Sequence, residues 1–291
     1  MTSASSRIDP EGPNAEQIRQ WNGPSGAAWS ALDDRITAQI RPFGLRALER
    51  AGVAPGSRVL DVGCGSGETT RALARAVGPA GAVTGLDISA PLLEAARAHA
   101  RREALDNVTF DHADAQIAPL PAAVFELIFS RFGVMFFADP EVAFRNLHHA
   151  LRPGGRLCFV CWRGPELNPW ITVPFKAAAQ HVALPPPTPG SPGPMAFADP
   201  ARVRGILDAA GFTAIALEGV DEVLSIGGAV DLDRAVDFML ELGPTATALR
   251  GVDATVRATV AVALRAALTP WNGPEGVRMP GAAWLVTAER A

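Results

Sequence analysis

One stretch constrains this chain more than any other: Arg58-Val59-Leu60-Asp61-Val62-Gly63-Cys64-Gly65-Ser66-Gly67-Glu68-Thr69-Thr70. Val59, Leu60 and Val62 make a short apolar run suited to a buried strand, and an alanine-rich helical run follows the glycines. Strand, glycine turn and helix in that order open a nucleotide-binding α/β unit. The glycines fall at every second position, so the third comes one residue early for a dinucleotide fingerprint. Asp61 lies inside the strand, two residues before the first glycine. A carboxylate there faces the ligand end of the sheet. It repels a phosphate and suits an ammonium or sulfonium group.

The α/β rhythm continues downstream. Ala82–Asp87 reads as a second strand, and Asp87 closes it 20 residues after Gly67. An acidic residue at that place accepts hydrogen bonds from the ribose hydroxyls of a nucleoside. Ser89 is placed to cap the next helix, with Pro91 early in it. Val108–His112 is a third strand, followed by Ala113-Asp114-Ala115-Gln116. Phe125–Arg131 is a fourth, and it leads into the most aromatic loop of the chain, Ser130–Pro140. Asp139-Pro140 starts a helix to Leu151, Arg152–Arg156 is a tight turn, and Leu157–Trp162 is a fifth strand.

From about Val53 to Trp162 this series resembles the class I S-adenosylmethionine-dependent methyltransferases, in particular a bacterial subgroup acting on small molecules. The glycine turn, Asp87, Asp114, the strand ending at Ser130 and Leu151-Arg152-Pro153-Gly154-Gly155 carry the resemblance in order. It implies a Rossmann-like α/β fold: a seven-stranded, mostly parallel sheet with an antiparallel last strand, helices on both faces, an N-terminal helical lid and a cap insertion. It implies S-adenosyl-L-methionine as cofactor. Asp61 would then hold the ammonium, Gly63, Gly65 and Gly67 the methionine and ribose parts, and Asp87 with Ile88 the ribose. Asp114 and Ala115 would take the adenine, and Ser130 the methionine end. Trp21 and Trp29 fit either outside packing or a lid, and the resemblance favours the lid. Phe132, Met135, Trp162 and Trp170 would line a pocket for a small acceptor, apolar or aromatic. No catalytic base is assigned; His181 and Arg163 are candidates by position, while His112, His148 and His149 read as residues without a chemical role. No metal pattern is evident, and no Asn-Pro-Pro-Tyr motif of amino-group methylases follows the fourth strand. Two other classes share part of the pattern. A nicotinamide oxidoreductase would share the strand, glycines and Asp87, and a non-catalytic adenosylmethionine-binding protein the whole cofactor half.

The remaining chain is expected to be built around that unit. Residues 1–18 read as a polar, mobile tail and 1–50 as tail plus helical lid; 51–291 reads as one domain. A cap at about 163–198 holds a short helix, Val173–Val182, and the proline-rich run 185–194. Thr213–Leu217, extending toward Ile226, and Ala282–Ala288 read as the last strands. An insertion at about 229–270 carries helices at Ala235–Leu242 and Val252–Ala267. Trp271-Asn272-Gly273-Pro274 repeats Trp21-Asn22-Gly23-Pro24 and reads as the same turn used twice. Formal charge is -4, lysine occurs once, at Lys176, and no basic block gives nucleic acid a footprint. Apolar runs stop well short of the ~18 residues of a membrane span. Cys158 and Cys161 lie in one strand, three apart and so on opposite faces, which suits neither a disulfide nor a metal pair. An odd thiol count and the lack of an apolar leader point to the cytoplasm.

Overall fold

In a computed structural model that describes residues 8–183 and 190–291, the chain begins with three helices, α1 (Ala15–Asn22), α2 (Pro24–Ala31) and α3 (Asp33–Ala51). Then come β1 (Arg58–Val62), α4 (Glu68–Val77), β2 (Ala82–Asp87), α5 (Ala90–Arg102), β3 (Val108–His112), β4 (Phe125–Arg131), α6 (Pro140–Ala150) and β5 (Leu151–Trp162). The second half holds α7 (Pro169–Ala178), α8 (Pro200–Ala209), β6 (Thr213–Ser225), α9 (Leu232–Glu241), α10 (Gly243–Ala248), α11 (Ala254–Leu268) and β7 (Gly276–Glu289).

The sheet runs β3-β2-β1-β4-β5-β7-β6. The first five strands are parallel, and β7 lies antiparallel between β5 and β6. This is the expected seven-stranded arrangement. Val59, Leu60, Asp61 and Val62 are all buried because helices cover both faces of the parallel part. The strand order reverses between β1 and β4, and a crevice opens there beyond the carboxyl ends of the strands.

Local chemistry sets many boundaries. Asp139, Asp199, Asp231 and Asp253 each accept a backbone N–H in the first turn of α6, α8, α9 and α11. Proline follows at the first helical position of α6 and α8, where its missing donor costs nothing. Ser89 does not act as the expected cap. Its hydroxyl instead donates to the Trp21 carbonyl at 2.8 Å, drawn there by α1 lying across the end of β2.

Other expectations are corrected. The tail is shorter than residues 1–18, since α1 starts at Ala15 and Asn14 is buried. The cap helix begins four residues early, at Pro169, because Asn168 anchors its start. That side chain is fully buried; its nitrogen reaches the carbonyls of Arg163, Gly164 and Ala282, and its oxygen accepts from Ala282 N–H and Trp170 Nε1. Asn168→Ala leaves those groups without partners, so we expect a loss of about 1–3 kcal/mol, read as a lower urea midpoint at unchanged slope. Of the proline-rich run 185–194, residues 185–189 lie outside the described residues. After them the chain docks: Gly193 N–H donates to Met135 O at 3.0 Å, and Phe197 is buried against Phe144 and Phe159. The two Trp-Asn-Gly-Pro stretches are different turns. The first joins α1 to α2, and in the second Asn272 and Gly273 pair with Val277 and Gly276 in a hairpin.

The cap helix α7 packs on α11, which packs on α9, so cap and insertion together roof the carboxyl end of the sheet. All three cysteines are buried free thiols; burial pushes Cys158 up to about 12 and Cys161 higher still. No helix among the described residues is long and apolar enough to cross a membrane.

Candidate active site

Two cavities lie at the carboxyl end of the sheet. The first is walled by the ends of β1 to β4 and roofed by Asn14, Trp21 and Trp29. It brings together Gly63, Gly65, Asp87, Ile88, Asp114 and Ala115 of the expected cofactor set. Trp21 meets Trp29 and Phe136 edge-on at 5.3 Å each, so the tryptophans form a roof rather than outside packing.

The glycine turn wraps around Asp87. Gly65 N–H donates to its Oδ2 at 2.8 Å and Ser89 N–H to its Oδ1 at 2.8 Å. Each oxygen keeps a lone pair for a further donor. Burial raises the Asp87 pKa, and the two amides oppose that rise. Gly65 has φ +54 and nothing within 4 Å of where a Cβ would stand, so its backbone fronts open space. Gly67 departs from the expectation. A Cβ there would meet the Phe110 ring at 3.0 Å and Ala96 at 3.1 Å, so it serves helix–sheet packing and does not line the cavity.

Asp61 and Ser130 stand behind the wall rather than in it. Ser130 is buried, and its hydroxyl accepts from Gly133 N–H at 3.3 Å. Asp61 is fully buried. Its Oδ2 accepts from the hydroxyls of Thr69 and Thr70, at 2.7 and 2.6 Å, while its Oδ1 has no partner. Burial pushes its pKa up to about 6, against the pull of the two threonine hydrogen bonds and of Arg131. Asp61 Oδ1 is thus an enclosed acceptor without a donor beneath the glycine turn. Arg131 lines the cavity and pairs with Glu68, which Arg41 also holds at 2.8 Å.

Asp114 has company that sequence reasoning missed. Asn14 donates from Nδ2 to both of its oxygens, at 2.8 and 2.9 Å, and Gln116 N–H adds a third bond at 2.9 Å. The Asn14 oxygen accepts from Ala138 N–H at 2.8 Å. At the other end of α1, Asn22 donates to Ile88 O at 2.8 Å and accepts from Ala90 N–H at 3.0 Å. Asparagines thus pin α1 over the ends of β2 and β3. Gly26 is required for this: a Cβ there would lie 1.9 Å from the Trp21 carbonyl oxygen.

The second cavity adjoins the first. Trp29, Ile40, Phe132 and Phe136 line both. Its other walls include the expected Met135, Trp162 and Trp170, and also Phe238, Met239, Leu242 and Thr245 from the helical insertion, which had not been assigned to the site. Phe132, held at φ +60, stacks on Trp162 with ring centroids 4.0 Å apart. Phe43 meets both rings edge-on, at 5.8 and 5.3 Å. No Asp, Glu, His, Lys, Arg or Cys side chain stands among the described residues that line this cavity. The candidates His181 and Arg163 line neither cavity, and Arg163 is held by Asp221 at 2.8 Å and lies over the Trp284 ring. His112 bonds to Ile88 O, and His148 packs edge-on to Phe212.

The chain is similar to known proteins. Residues 59–155 match a family model described as a methyltransferase domain. The ubiquinone/menaquinone biosynthesis C-methyltransferase UbiE of Pseudomonas aeruginosa is 32% identical over 161 residues, 55% of this chain and 63% of that protein. The demethylmenaquinone methyltransferase of Staphylococcus aureus is 37% identical over 143 residues, 49% of this chain and 58% of its own length. The chain therefore covers less than two thirds of these curated relatives. The YcgJ protein of Bacillus subtilis shares the fold, with a TM-score of 0.55 at 17% identity, over 85% of this chain and 98% of that one.

Proposed function

We propose, from the class I S-adenosylmethionine-dependent methyltransferase domain that this chain carries, that it moves a methyl group from S-adenosyl-L-methionine to a small apolar or aromatic acceptor. The observation that carries the reading is the pairing of cavities. One offers carboxylates and an open glycine turn, the other offers aromatic walls without an ionisable group, and they share Phe132 and Trp29. When bound, the cofactor supplies an electrophilic methyl group on a positively charged sulfur. Asp87 is read as the acceptor for the ribose hydroxyls and Asp61, enclosed behind the glycine turn, as the counter-charge that favours the ammonium. Arg131 fits the carboxylate end, and Asp114 with Asn14 the adenine edge. The aromatic walls exclude water and hold the acceptor against the methyl, while ring faces tolerate the sulfonium charge. With no base among the described residues of the second cavity, the acceptor enters already deprotonated, its proton lost to solvent, and rate comes from alignment and desolvation.

Equilibrium titration tests this. Micromolar binding of S-adenosylhomocysteine with none of NAD is the expected result; the reverse would sink the methyltransferase reading in favour of an oxidoreductase. The pH dependence is a second check. Because the Asp61 pKa is raised to about 6, the ligand-free protein holds that proton more tightly than the unfolded chain does. Its stability therefore falls as pH rises from 3.8, the ordinary value, to about 6. Binding an ammonium needs the carboxylate, so affinity for S-adenosylhomocysteine rises across the same window and levels off near pH 7. Asp87 and Asp114, also raised by burial, act in the same direction. Calorimetry between pH 5 and 8 should show a shallower slope in Asp61→Asn, and an identical slope would remove Asp61 from the ammonium site.

A further inference from the structure

The second cavity has two polar side chains, Gln39 and Thr245, set into apolar walls. Both are 3% exposed. A buried amide costs free energy unless its donors and acceptor find partners. Gln39 uses only the oxygen end of its amide within the protein. Its Oε1 accepts from the backbone N–H of Gly227 at 3.1 Å. Gly227 offers a donor at that point, so the amide cannot be turned over without facing donor to donor. The Gly227 turn is itself fixed, at φ +70 with the Phe238 ring 3.1 Å from where a Cβ would stand.

The Nε2 amino group of Gln39 is the end left over, and it makes no hydrogen bond among the described residues. It is not sealed in either. Among the described residues, the enclosed side-chain atoms without partners are Gln17 Oε1, Asp61 Oδ1 and Arg163 Nε. Gln39 Nε2 therefore keeps some accessible surface, and the second cavity is the space this buried residue borders. A fixed, uncharged donor in a chamber without charge matches an oxygen acceptor. It does not match an ammonium, whose own donors would face it and whose charge would find no counter-ion.

We propose that Gln39 is the specificity-determining contact for the acceptor: its amide nitrogen donates to a carbonyl, phenolic or enolic oxygen on an apolar, ring-bearing compound. This rests on the methyltransferase reading of the adjoining cavity. Gly227 holds the donor in place, and the insertion helices supply the surface for the ring.

A pair of probes of matched shape tests it: 2-acetonaphthone, which carries the oxygen, and 2-isopropylnaphthalene, which does not. Binding to the full chain saturated with S-adenosylhomocysteine is read by tryptophan fluorescence, with Trp29, Trp162 and Trp170 in the walls. Gln39→Met is expected to weaken the ketone about 5–10-fold and the hydrocarbon less than twofold, the scale of one neutral hydrogen bond. Gln39→Glu keeps an acceptor for Gly227 N–H and so guards against a misfolded variant; measured at pH 9, where the carboxylate has no proton to donate, it should weaken the ketone at least as much. Equal losses for both probes would mean that Gln39 only supports the Gly227 turn, and unchanged ratios would mean that it touches no ligand. Either overturns the proposal, as does failure of both probes to bind while S-adenosylhomocysteine binds. Failure of S-adenosylhomocysteine itself has a separate signature and overturns the reading of the first cavity.

Discussion

Replacing Gly63 with alanine is expected to cost about 2–5 kcal/mol of folding stability and to abolish tight binding of S-adenosylhomocysteine. Two effects add. Gly63 has φ +65, a left-handed conformation that costs an alanine about 1–2 kcal/mol. Its Cβ would also stand 2.7 Å from the Gly133 Cα. That neighbour is backbone, not the end of a flexible side chain, so the β1 and β4 ends must separate to make room. Overpacking of this kind costs about 1–3 kcal/mol. Gly63 N–H also donates to Leu86 O at 2.8 Å, so the displaced turn strains its tie to β2. Gly65→Ala is the informative contrast. Its φ is +54, yet the space over it is open, so it should lose only the backbone part of the stability while its methyl group stands in the first cavity. Urea denaturation and calorimetry on the two variants should separate them. A Gly63→Ala protein as stable as wild type would refute the close approach.

Asp87→Ala should weaken S-adenosylhomocysteine binding by about 1.5–3 kcal/mol, or roughly 10- to 150-fold, the scale of hydrogen bonds to a charged group. The loss has two sources. Direct acceptors for the ribose disappear, and the amides of Gly65 and Ser89 lose their partner, which loosens the turn over the ligand. Asp87→Asn keeps one oxygen and should fall between. Unchanged affinity in Asp87→Ala would mean that the ribose lies elsewhere.

The part of the fold that was legible in sequence is the part written in neighbouring residues. β1, the glycine turn and α4 carry their own apolar spacing and breakers, and Asp139-Pro140 and Asp199-Pro200 announce their helices. What escaped depends on partners far away in the chain. Asn14 precedes a helix and resembles an ordinary cap, but its side chain makes no capping bond and reaches Asp114, 100 residues on. Ser89 has a cap's position and is claimed by a carbonyl 68 residues back. Leu151 looked like the end of a helix, yet it pairs with Phe125 as the first residue of β5. Phe238, Met239 and Leu242 fall on the apolar face of an amphipathic insertion, where a residue facing a cavity and one facing the core have the same pattern. Gln39 gave no sign at all, because a lone glutamine on a helix reads as surface.

The wall shared by the two cavities has a bearing on how the proposed acceptor preference can diversify. Trp29, Ile40, Phe132 and Phe136 face both spaces, so a change at any of them alters two binding energies at once and the effects will not add. Phe132 is the most constrained, being stacked on Trp162 in a backbone conformation that few residues tolerate. Phe238, Met239, Leu242 and Thr245 touch the second cavity alone. Under the proposed function, new acceptor preferences are therefore reached with least penalty through residues 232–248, which can be redrawn residue by residue while the first cavity stays as it is.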